Sequence, residues 1–233
     1  MTTSMIETRG LTAGYGSMVV VRDLDLRVDS GEVVALLGAN GAGKTTTILT
    51  LAGELGPLGG DVLWRGRATK APLHRRAKDG LGLITEDRAV LMTMTVAENL
   101  RVSRCDVARV LGLFPELTDH LHRRVGLLSG GQQQMLALGR SLGRNASVIL
   151  ADELSMGLAP VVVDRLLATL RAAADAGTGV LLVEQHVHKA LEVADRVYVL
   201  VHGRVSLTAP AAELRGNVDE VLASYFATDA VPA

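Results

Sequence analysis

The sequence predicts an α/β fold in which a buried, mainly parallel sheet is covered by helices. The unbroken apolar run at residues 33–37 and the similar pattern at residues 147–151, which is apolar after Ser147, are typical of strands that are buried on both faces of such a sheet. A glycine-rich turn and a helical pattern follow the first run directly. The chain has 233 residues, 48% of them hydrophobic, which is enough for one large domain or for a core with an inserted subdomain.

The N-terminal part of the chain predicts antiparallel strands beside this core. Residues 5–9 and 18–28 contain short apolar stretches that alternate with polar residues. A first helix is expected to extend to about residue 55, and a turn cluster then precedes a short strand at residues 61–64 and a buried one at residues 81–85. These patterns indicate an N-terminal antiparallel β-subdomain.

Residues 88–143 predict a mostly helical subdomain that is inserted in the core. Its expected helices lie near residues 96–101, 106–113 and 131–142. The remaining expected elements are strands at residues 147–151 and 180–183, a helix from Pro160 to Gly177, a hairpin at residues 196–207 and a helical tail at residues 216–233. We expect all of residues 1–233 to form a single domain.

The stretch from residue 38 to residue 46, Gly-Ala-Asn-Gly-Ala-Gly-Lys-Thr-Thr, predicts a phosphate-binding loop and therefore a P-loop NTPase core of the RecA type. Its glycines let the chain turn sharply, so that several backbone N–H groups can converge on a phosphate. Lys44 adds a full positive charge, and the hydroxyl of Thr45 is placed to bind Mg²⁺. The residues expected to contact the nucleotide are Gly38, Ala39, Asn40, Gly41, Ala42, Gly43, Lys44, Thr45 and Thr46.

Two adjacent carboxylates, Asp152 and Glu153, end the predicted strand at residues 147–151. An acid at this place can reach a metal ion that is held at the phosphate loop. We expect Asp152 to position Mg²⁺ through water, and Glu153 to orient or deprotonate the water that attacks the γ-phosphate. The alternative is a pair of acids that only caps a strand at the surface.

A second anion site is predicted at the start of another helix, where Ser129, Gly130, Gly131 and Gln132 provide a capping side chain and glycine amides. One chain would then carry two phosphate-binding sites. The phosphate loop, this Ser-Gly-Gly-Gln sequence and the two acids, in this order, resemble the ATP-binding cassette (ABC) family, and the resemblance covers nearly the whole chain. In that family two cassettes hold ATP head to tail between them, so Ser129 to Gln132 would contact the ATP of a second cassette.

The resemblance implies roles for three more residues. Tyr15 matches the aromatic residue on which adenine stacks, and its alternative is a surface turn tyrosine. His186 matches the switch histidine that contacts the γ-phosphate, and its alternative is a structural histidine. Glu86 takes the place of a glutamine that contacts Mg²⁺ and the membrane subunit, and Leu154 takes the place of a usual proline. These two residues are departures from the family pattern.

Finer details of the sequence resemble those of the branched-chain amino acid importer ATPases. The compact length resembles that of the smaller of their two ATP-binding subunits. These details are Glu86-Asp87-Arg88, Gly157-Leu158-Ala159-Pro160, Val183-Glu184-Gln185 and Ser224-Tyr225-Phe226. Such an ATPase binds ATP and Mg²⁺, pairs with an identical or related cassette and drives an integral membrane permease. An extracytoplasmic solute-binding protein is an indirect partner, and related cassettes serve urea and short-chain amides.

Composition and charge indicate the cellular location and exclude some classes of partner. A net charge of −1 gives no global field for nucleic acid, and the basic residues 74–78 are interpreted as a solvated surface segment. The single Cys105 fits a reducing compartment. The N-terminus lacks a secretory pattern and no apolar run approaches the ~20 residues of a membrane span. We therefore expect a cytoplasmic protein, peripheral on the inner face of the cell membrane, with no nucleic-acid partner.

Two other function classes stay open at this point. One is a soluble cassette ATPase of translation or DNA repair, although the two cassette copies or the long coiled-coil insertions usual in such proteins do not occur in this sequence. The other is a nucleotide-gated interaction module with little turnover. The presence of both Glu153 and His186 argues against the second class.

Overall fold

The computed structural model of the protein describes residues 4–85, 87–216 and 218. The strands are β1 (Ser4–Tyr15), β2 (Met18–Asp29), β3 (Val33–Leu37), β4 (Gly59–Trp64), β5 (Arg67–Ala68), β6 (Leu81–Ile84), β7 (Val148–Asp152), β8 (Gly179–Glu184), β9 (Arg196–Val201) and β10 (Arg204–Pro210). The helices are α1 (Lys44–Ala52), α2 (Leu73–Lys78), α3 (Val96–Val102), α4 (Val107–Leu113), α5 (Gly130–Gly143), α6 (Pro160–Asp175), α7 (Val187–Val193) and α8 (Ala211–Leu214). Two 3₁₀ segments, Pro115–His120 and Val125–Leu127, precede α5.

The strands form two sheets, and together they confirm the predicted fold class. An antiparallel sheet has the order β2-β1-β4-β5, and a six-stranded sheet has the order β10-β9-β3-β8-β7-β6. Within the second sheet β9, β3, β8, β7 and β6 run parallel, and β10 pairs antiparallel with β9. The predicted hairpin at residues 196–207 is thus one edge of the parallel sheet.

The central strand β3 explains why its sequence is apolar without interruption. Val33, Ala35 and Leu37 belong to a hydrophobic cluster with α5, α6 and α7, whereas Val34 and Leu36 belong to a second cluster with the antiparallel sheet and α1. Successive side chains of a strand point to opposite faces of its sheet. Both faces of β3 are therefore core, and all five residues are buried.

The region between residues 96 and 143 is helical, as its pattern predicts. Helix α4 lies so close to α5 that a Cβ on Gly139 or Gly143 would lie 2.7 or 2.6 Å from Val110. Helix α5 also packs against β6 and α6 of the core. Apolar side chains of this region, such as Phe114, belong to the same cluster as Val33, so that the region is continuous with the core. The bounds 88–143 for a subdomain stay a prediction.

The structure corrects the interpretation of residues 74–78 at one position, Arg76, whereas His74, Arg75 and Lys78 are exposed as expected. These residues lie in α2, and Arg76 is buried instead of solvated. Its guanidinium donates hydrogen bonds to the carbonyl oxygens of Thr50 and Leu51. These carbonyls lie at the C-terminal end of α1, where helix geometry leaves acceptors without a partner and a positive charge is favourable. Arg76 thus caps α1.

Two further differences and one untested prediction concern the secondary-structure elements. Helix α1 ends at Ala52 instead of about residue 55, because Gly53 adopts a left-handed conformation and its N–H bonds back to α1. The short helices α7 and α8 are not predicted by the sequence pattern. The predicted tail at residues 216–233 lies outside the described residues, apart from Gly216 and Val218. Within the described ranges, no helix has the length and apolar character that crossing a membrane requires.

Candidate functional site

The loop at residues 38–46 connects β3 to α1 and requires glycine at two places. A Cβ on Gly38 would lie 2.4 Å from the carbonyl oxygen of Leu200. Gly43 has a φ of 106°, and a Cβ there would lie 2.9 Å from Val21 Cγ2. The loop is therefore held against β9 on one side and β2 on the other, and the backbone can approach a ligand closely.

Lys44, the first residue of α1, is the cation of the site. Its side chain is only 4% exposed, and Nζ donates hydrogen bonds to the carbonyl oxygens of Gly38 at 2.8 Å and Ala39 at 3.0 Å. Nζ also lies 3.9 Å from Glu153 Oε1. Burial lowers the pKa of Lys44, while the carboxylates of Glu153, Asp152 and Glu184 oppose this shift. Three carboxylates thus act electrostatically on one ammonium group.

Asp152 and Glu153 lie at the end of β7. Strand β8 separates β7 from β3, the strand that leads into the loop. Asp152 is 4% exposed. Glu153 has a φ of 49°, a conformation that non-glycine residues adopt rarely and only where the surrounding structure holds them. Its N–H donates to the carbonyl oxygen of Val183 at 3.0 Å, and its Oε1 accepts a hydrogen bond from Gln185 Nε2 at 2.7 Å. Strand β8 therefore fixes the backbone of Glu153, and Gln185, the residue after β8, fixes its side chain.

The residues present fit a magnesium ion. Three carboxylates around one ammonium group leave an excess of negative charge that a divalent cation would balance. The hydroxyl of Thr45, which is exposed, and the carboxylate of Asp152 are the oxygen ligands that Mg²⁺ prefers. Among the described residues, no three acidic, histidine or cysteine side chains form a complete metal site. Such an ion would therefore take its other ligands from phosphate oxygens and water.

A network around Glu184 is the part of the site that the sequence did not predict. Glu184 ends β8 and is 1% exposed. Ser155 donates to it twice, from its backbone N–H at 3.0 Å and from its hydroxyl at 2.6 Å. Burial raises the pKa of the Glu184 carboxyl, and the two hydrogen bonds from Ser155 counteract this shift only in part. The signal that could have found Glu184 is its place at the end of a buried parallel strand, as for Asp152.

His186 joins this network from the solvent side. Its side chain is 69% exposed, and Nδ1 lies 3.1 Å from Ser155 Oγ. Because the Ser155 hydroxyl donates to Glu184, its oxygen accepts a hydrogen bond from the Nδ1–H of His186. The other ring nitrogen, Nε2, is then the atom that a ligand would contact, and it donates to a phosphate oxygen when both ring nitrogens carry a proton.

The predicted second anion site has the expected helix start. Ser129 is the N-cap of α5, its Oγ accepts from the Gln132 N–H at 3.2 Å, and the Gln132 side chain accepts from the Ser129 N–H at 3.1 Å. In the described part of the chain, no hydrogen bond or ion pair joins residues 129–132 to the loop at residues 38–46. Helix α5 packs against α4, α6 and β6, whereas α1 packs against β1, β2 and β7. The structure does not bring the two anion sites of one chain together.

Tyr15 and Glu86 complete the predicted set. Tyr15 is the last residue of β1, is 46% exposed and pairs with Met18 of β2. The same strand β2 contacts the phosphate loop, since a Cβ on Gly43 would lie 3.5 Å from Val20. Tyr15 is thus on the hairpin that borders the loop. Glu86 lies outside the described residues.

Comparisons with known proteins agree with this geometry. A family model described as ABC transporter matches residues 21–155. The high-affinity branched-chain amino acid transport ATP-binding protein BraG of Pseudomonas aeruginosa is 36% identical, over 87% of this chain and 91% of that protein. The probable branched-chain amino acid transport ATP-binding protein LivF of Archaeoglobus fulgidus is 35% identical, over 90% of this chain and 94% of that protein.

Two further similarities extend the comparison. The lipopolysaccharide export system ATP-binding protein LptB of Acidithiobacillus ferridurans is 35% identical, over 88% of this chain and 89% of that protein. A solved structure of an ATP-binding subunit of an ABC transporter has a TM-score of 0.83 and 25% identity to this chain, and the match covers 95% of this chain and 99% of that one.

Proposed function

We propose that this chain, which belongs to the ABC transporter ATPase family, drives the import of branched-chain amino acids through a separate membrane permease. Its membership in the family makes it an ATP-binding subunit whose ATP hydrolysis is coupled to transport. The observation that carries the assignment to this site is the 3.9 Å distance between Lys44 Nζ and Glu153 Oε1, because it joins a phosphate-binding loop to a carboxylate that can activate water.

The proposed roles follow from the positions of the side chains. The loop amides and Lys44 bind the β- and γ-phosphates of ATP, and the first turn of α1 adds its dipole. Glu153, fixed by Gln185, accepts a proton from the attacking water. His186 contacts the γ-phosphate through Nε2. Mg²⁺, held by Thr45, Asp152 and Glu86, would neutralise charge on the phosphates when it is bound.

The site is proposed to be completed by a second cassette, identical or related to this chain. Ser129, Gly130, Gly131 and Gln132 would contact the ATP that the partner cassette binds, and Tyr15 would stack on adenine. Support comes from the separation of the two anion sites within one chain, since α1 and α5 pack against different elements. Hydrolysis therefore depends on a head-to-tail pair of cassettes.

Location and further partners belong to the same proposal. We place the protein in the cytoplasm, on the inner face of the membrane, against integral permease subunits. An extracytoplasmic solute-binding protein delivers the solute to the permease, and nucleic acid is not a partner. Residues 1–233 form a single nucleotide-binding domain, with residues 88–143 as its helical subdomain.

The rate of hydrolysis at different protein concentrations tests the dimer. We expect the phosphate-release rate per subunit to rise with protein concentration and then level off, while ATP binding per subunit stays constant. If the active pair requires a different cassette, the rise occurs only when that cassette is added. A rate per subunit that is independent of protein concentration, with no dimer detected in ATP, would contradict the proposed arrangement.

The transported solute is tested with the complete transporter in proteoliposomes, reconstituted with the permease that co-purifies with this chain. We expect leucine, isoleucine or valine with the binding protein to stimulate ATP hydrolysis and to accumulate inside. Stimulation by urea or a short-chain amide would instead assign a related importer. The similarity to LptB makes lipopolysaccharide export the second candidate function. A co-purifying permease that extracts lipid would support export and contradict the proposed import.

A further inference from the structure

Two consecutive residues after β6 have a backbone conformation that is unusual for their type. Arg88 has a φ of 62° and Ala89 a φ of 48°, both in the left-handed region. Side chains with a Cβ adopt this region rarely, and such residues persist where the surrounding structure holds them. The two residues, called here the 88–89 turn, follow position 86 closely.

Helix α5 holds the 88–89 turn at both residues. Arg88 Nη1 donates to Gln133 Oε1 at 2.7 Å, and Arg140 Nη1 donates to the carbonyl oxygen of Ala89 at 2.7 Å. Gln133 and Arg140 are seven residues apart, so they lie on one face of the helix.

Gln133 connects Arg88 to the segment that precedes Ser129. Its Nε2 donates to the carbonyl oxygens of Val125 at 3.1 Å and Leu128 at 3.2 Å, and its side chain is buried. The orientation of the amide is therefore fixed, with the oxygen toward Arg88 and the nitrogen toward the two carbonyls. The chain that leads into Ser129 is thus tied to the guanidinium.

Arg88 also lies over the first turn of α5. Its Nη2 is 3.2 Å from the place that a Cβ on Gly130 would occupy. A guanidinium at the positive end of a helix is unfavourable electrostatically. The contact with Gln133 compensates for this position, and helix capping alone does not require it, because Ser129 and Gln132 already cap each other.

We propose that Arg88 is a positioning residue that sets the orientation of Ser129 and Gly130 through its contact with Gln133. The inference rests on the proposed function, in which Ser129 and Gly130 contact the ATP of the partner cassette.

Two variants of similar length separate this role from packing. Arg88→Met removes the donors, and Arg88→Lys keeps one donor for Gln133. In the purified full-length protein, with its partner cassette where one is needed, we expect Arg88→Met to lower kcat at least tenfold and to change KM for ATP less than twofold. Arg88→Lys should lose only two- to threefold in kcat. Arg104→Ala is the matched control, because Arg104 is an exposed arginine that also has a left-handed φ, of 52°.

A double variant tests the path through Gln133. If Arg88 acts through this residue, Arg88→Met combined with Gln133→Ala lowers kcat no further than the stronger single variant. Additive losses would contradict the path. If Arg88→Met does not fold, the lysine variant decides, since a kcat equal to wild type with an unchanged KM would overturn the inference.

The outcomes for this inference and for the proposed function differ. A wild-type protein without ATP hydrolysis at any concentration, with or without a partner cassette, contradicts the proposed function and the inference with it. Normal hydrolysis by the wild type, together with kinetics of Arg88→Met that match Arg104→Ala, contradicts the inference alone.

Discussion

Replacing Glu153 with glutamine removes a negative charge that lies 3.9 Å from Lys44 Nζ and changes little else. The two side chains have nearly the same shape. The glutamine oxygen can still accept the hydrogen bond from Gln185 Nε2, and the φ of 49° is equally available to both residues. The variant therefore tests the carboxylate charge and its capacity to accept a proton.

The structure gives the expected size of two effects. A general base contributes about 10²- to 10⁴-fold to a rate, so the phosphate-release rate should fall by this factor, or by about 3–5 kcal/mol. At an effective dielectric constant of about 20, two unit charges 3.9 Å apart attract by about 4 kcal/mol before desolvation is counted. Without Glu153, Lys44 is freer to bind phosphate, and we expect ATP affinity to be equal to wild type or tighter.

Steady-state phosphate release and equilibrium ATP binding measure these effects separately. Glu116→Gln is the matched control, because Glu116 forms an ion pair of similar length, 3.6 Å with Arg165, at an exposed place in the helical insert. The control should retain wild-type turnover and affinity. Wild-type turnover in Glu153→Gln would refute the role of Glu153 as the base. A large loss of ATP affinity would refute the view that its charge competes with phosphate for Lys44.

Two further predictions concern Tyr15 and Glu184. Tyr15→Ala should weaken ATP binding about 5- to 150-fold, because base stacking contributes roughly 1–3 kcal/mol. Tyr15→Phe should retain wild-type affinity, because its ring can still stack. Titration with a fluorescent nucleotide measures the affinity of both variants. Burial raises the pKa of Glu184. The contribution of Glu184 to the free energy of unfolding therefore decreases as pH rises from about 4.3 through the raised value. In urea unfolding, Glu184→Gln should gain stability relative to wild type over this window, and a pH-independent difference would contradict the reasoning.

Parts of the fold that depend on local pattern could be predicted from the sequence. The strand β3 has the predicted limits, because burial on both faces demands an apolar residue at every position. The start of α5 could be predicted because Ser129 and Gln132 form a capping box within four residues. Both signals are complete within a short stretch of chain.

The parts that the sequence did not reveal depend on distant contacts. Arg76 is interpreted as solvated because its neighbours are basic, but its partners are carbonyls about 25 residues earlier, at the end of α1. Glu184 and Ser155 are separated by 29 residues and meet only because β7 and β8 pair. Nothing in a local pattern distinguishes such a buried acid from a surface one.

The capping box at Ser129 explains why glycines follow it. A helix leaves the N–H groups of its first turn without partners inside the helix. The box uses the N–H groups of Ser129 and Gln132, which leaves the amides of Gly130 and Gly131 for a ligand. A Cβ on Gly131 would lie 2.8 Å from Val162, and one on Gly130 would lie 3.2 Å from Arg88. A side chain at position 131 would push α5 away from α6, so the donors proposed for the partner's ATP are tied to the packing of α5 in their own chain.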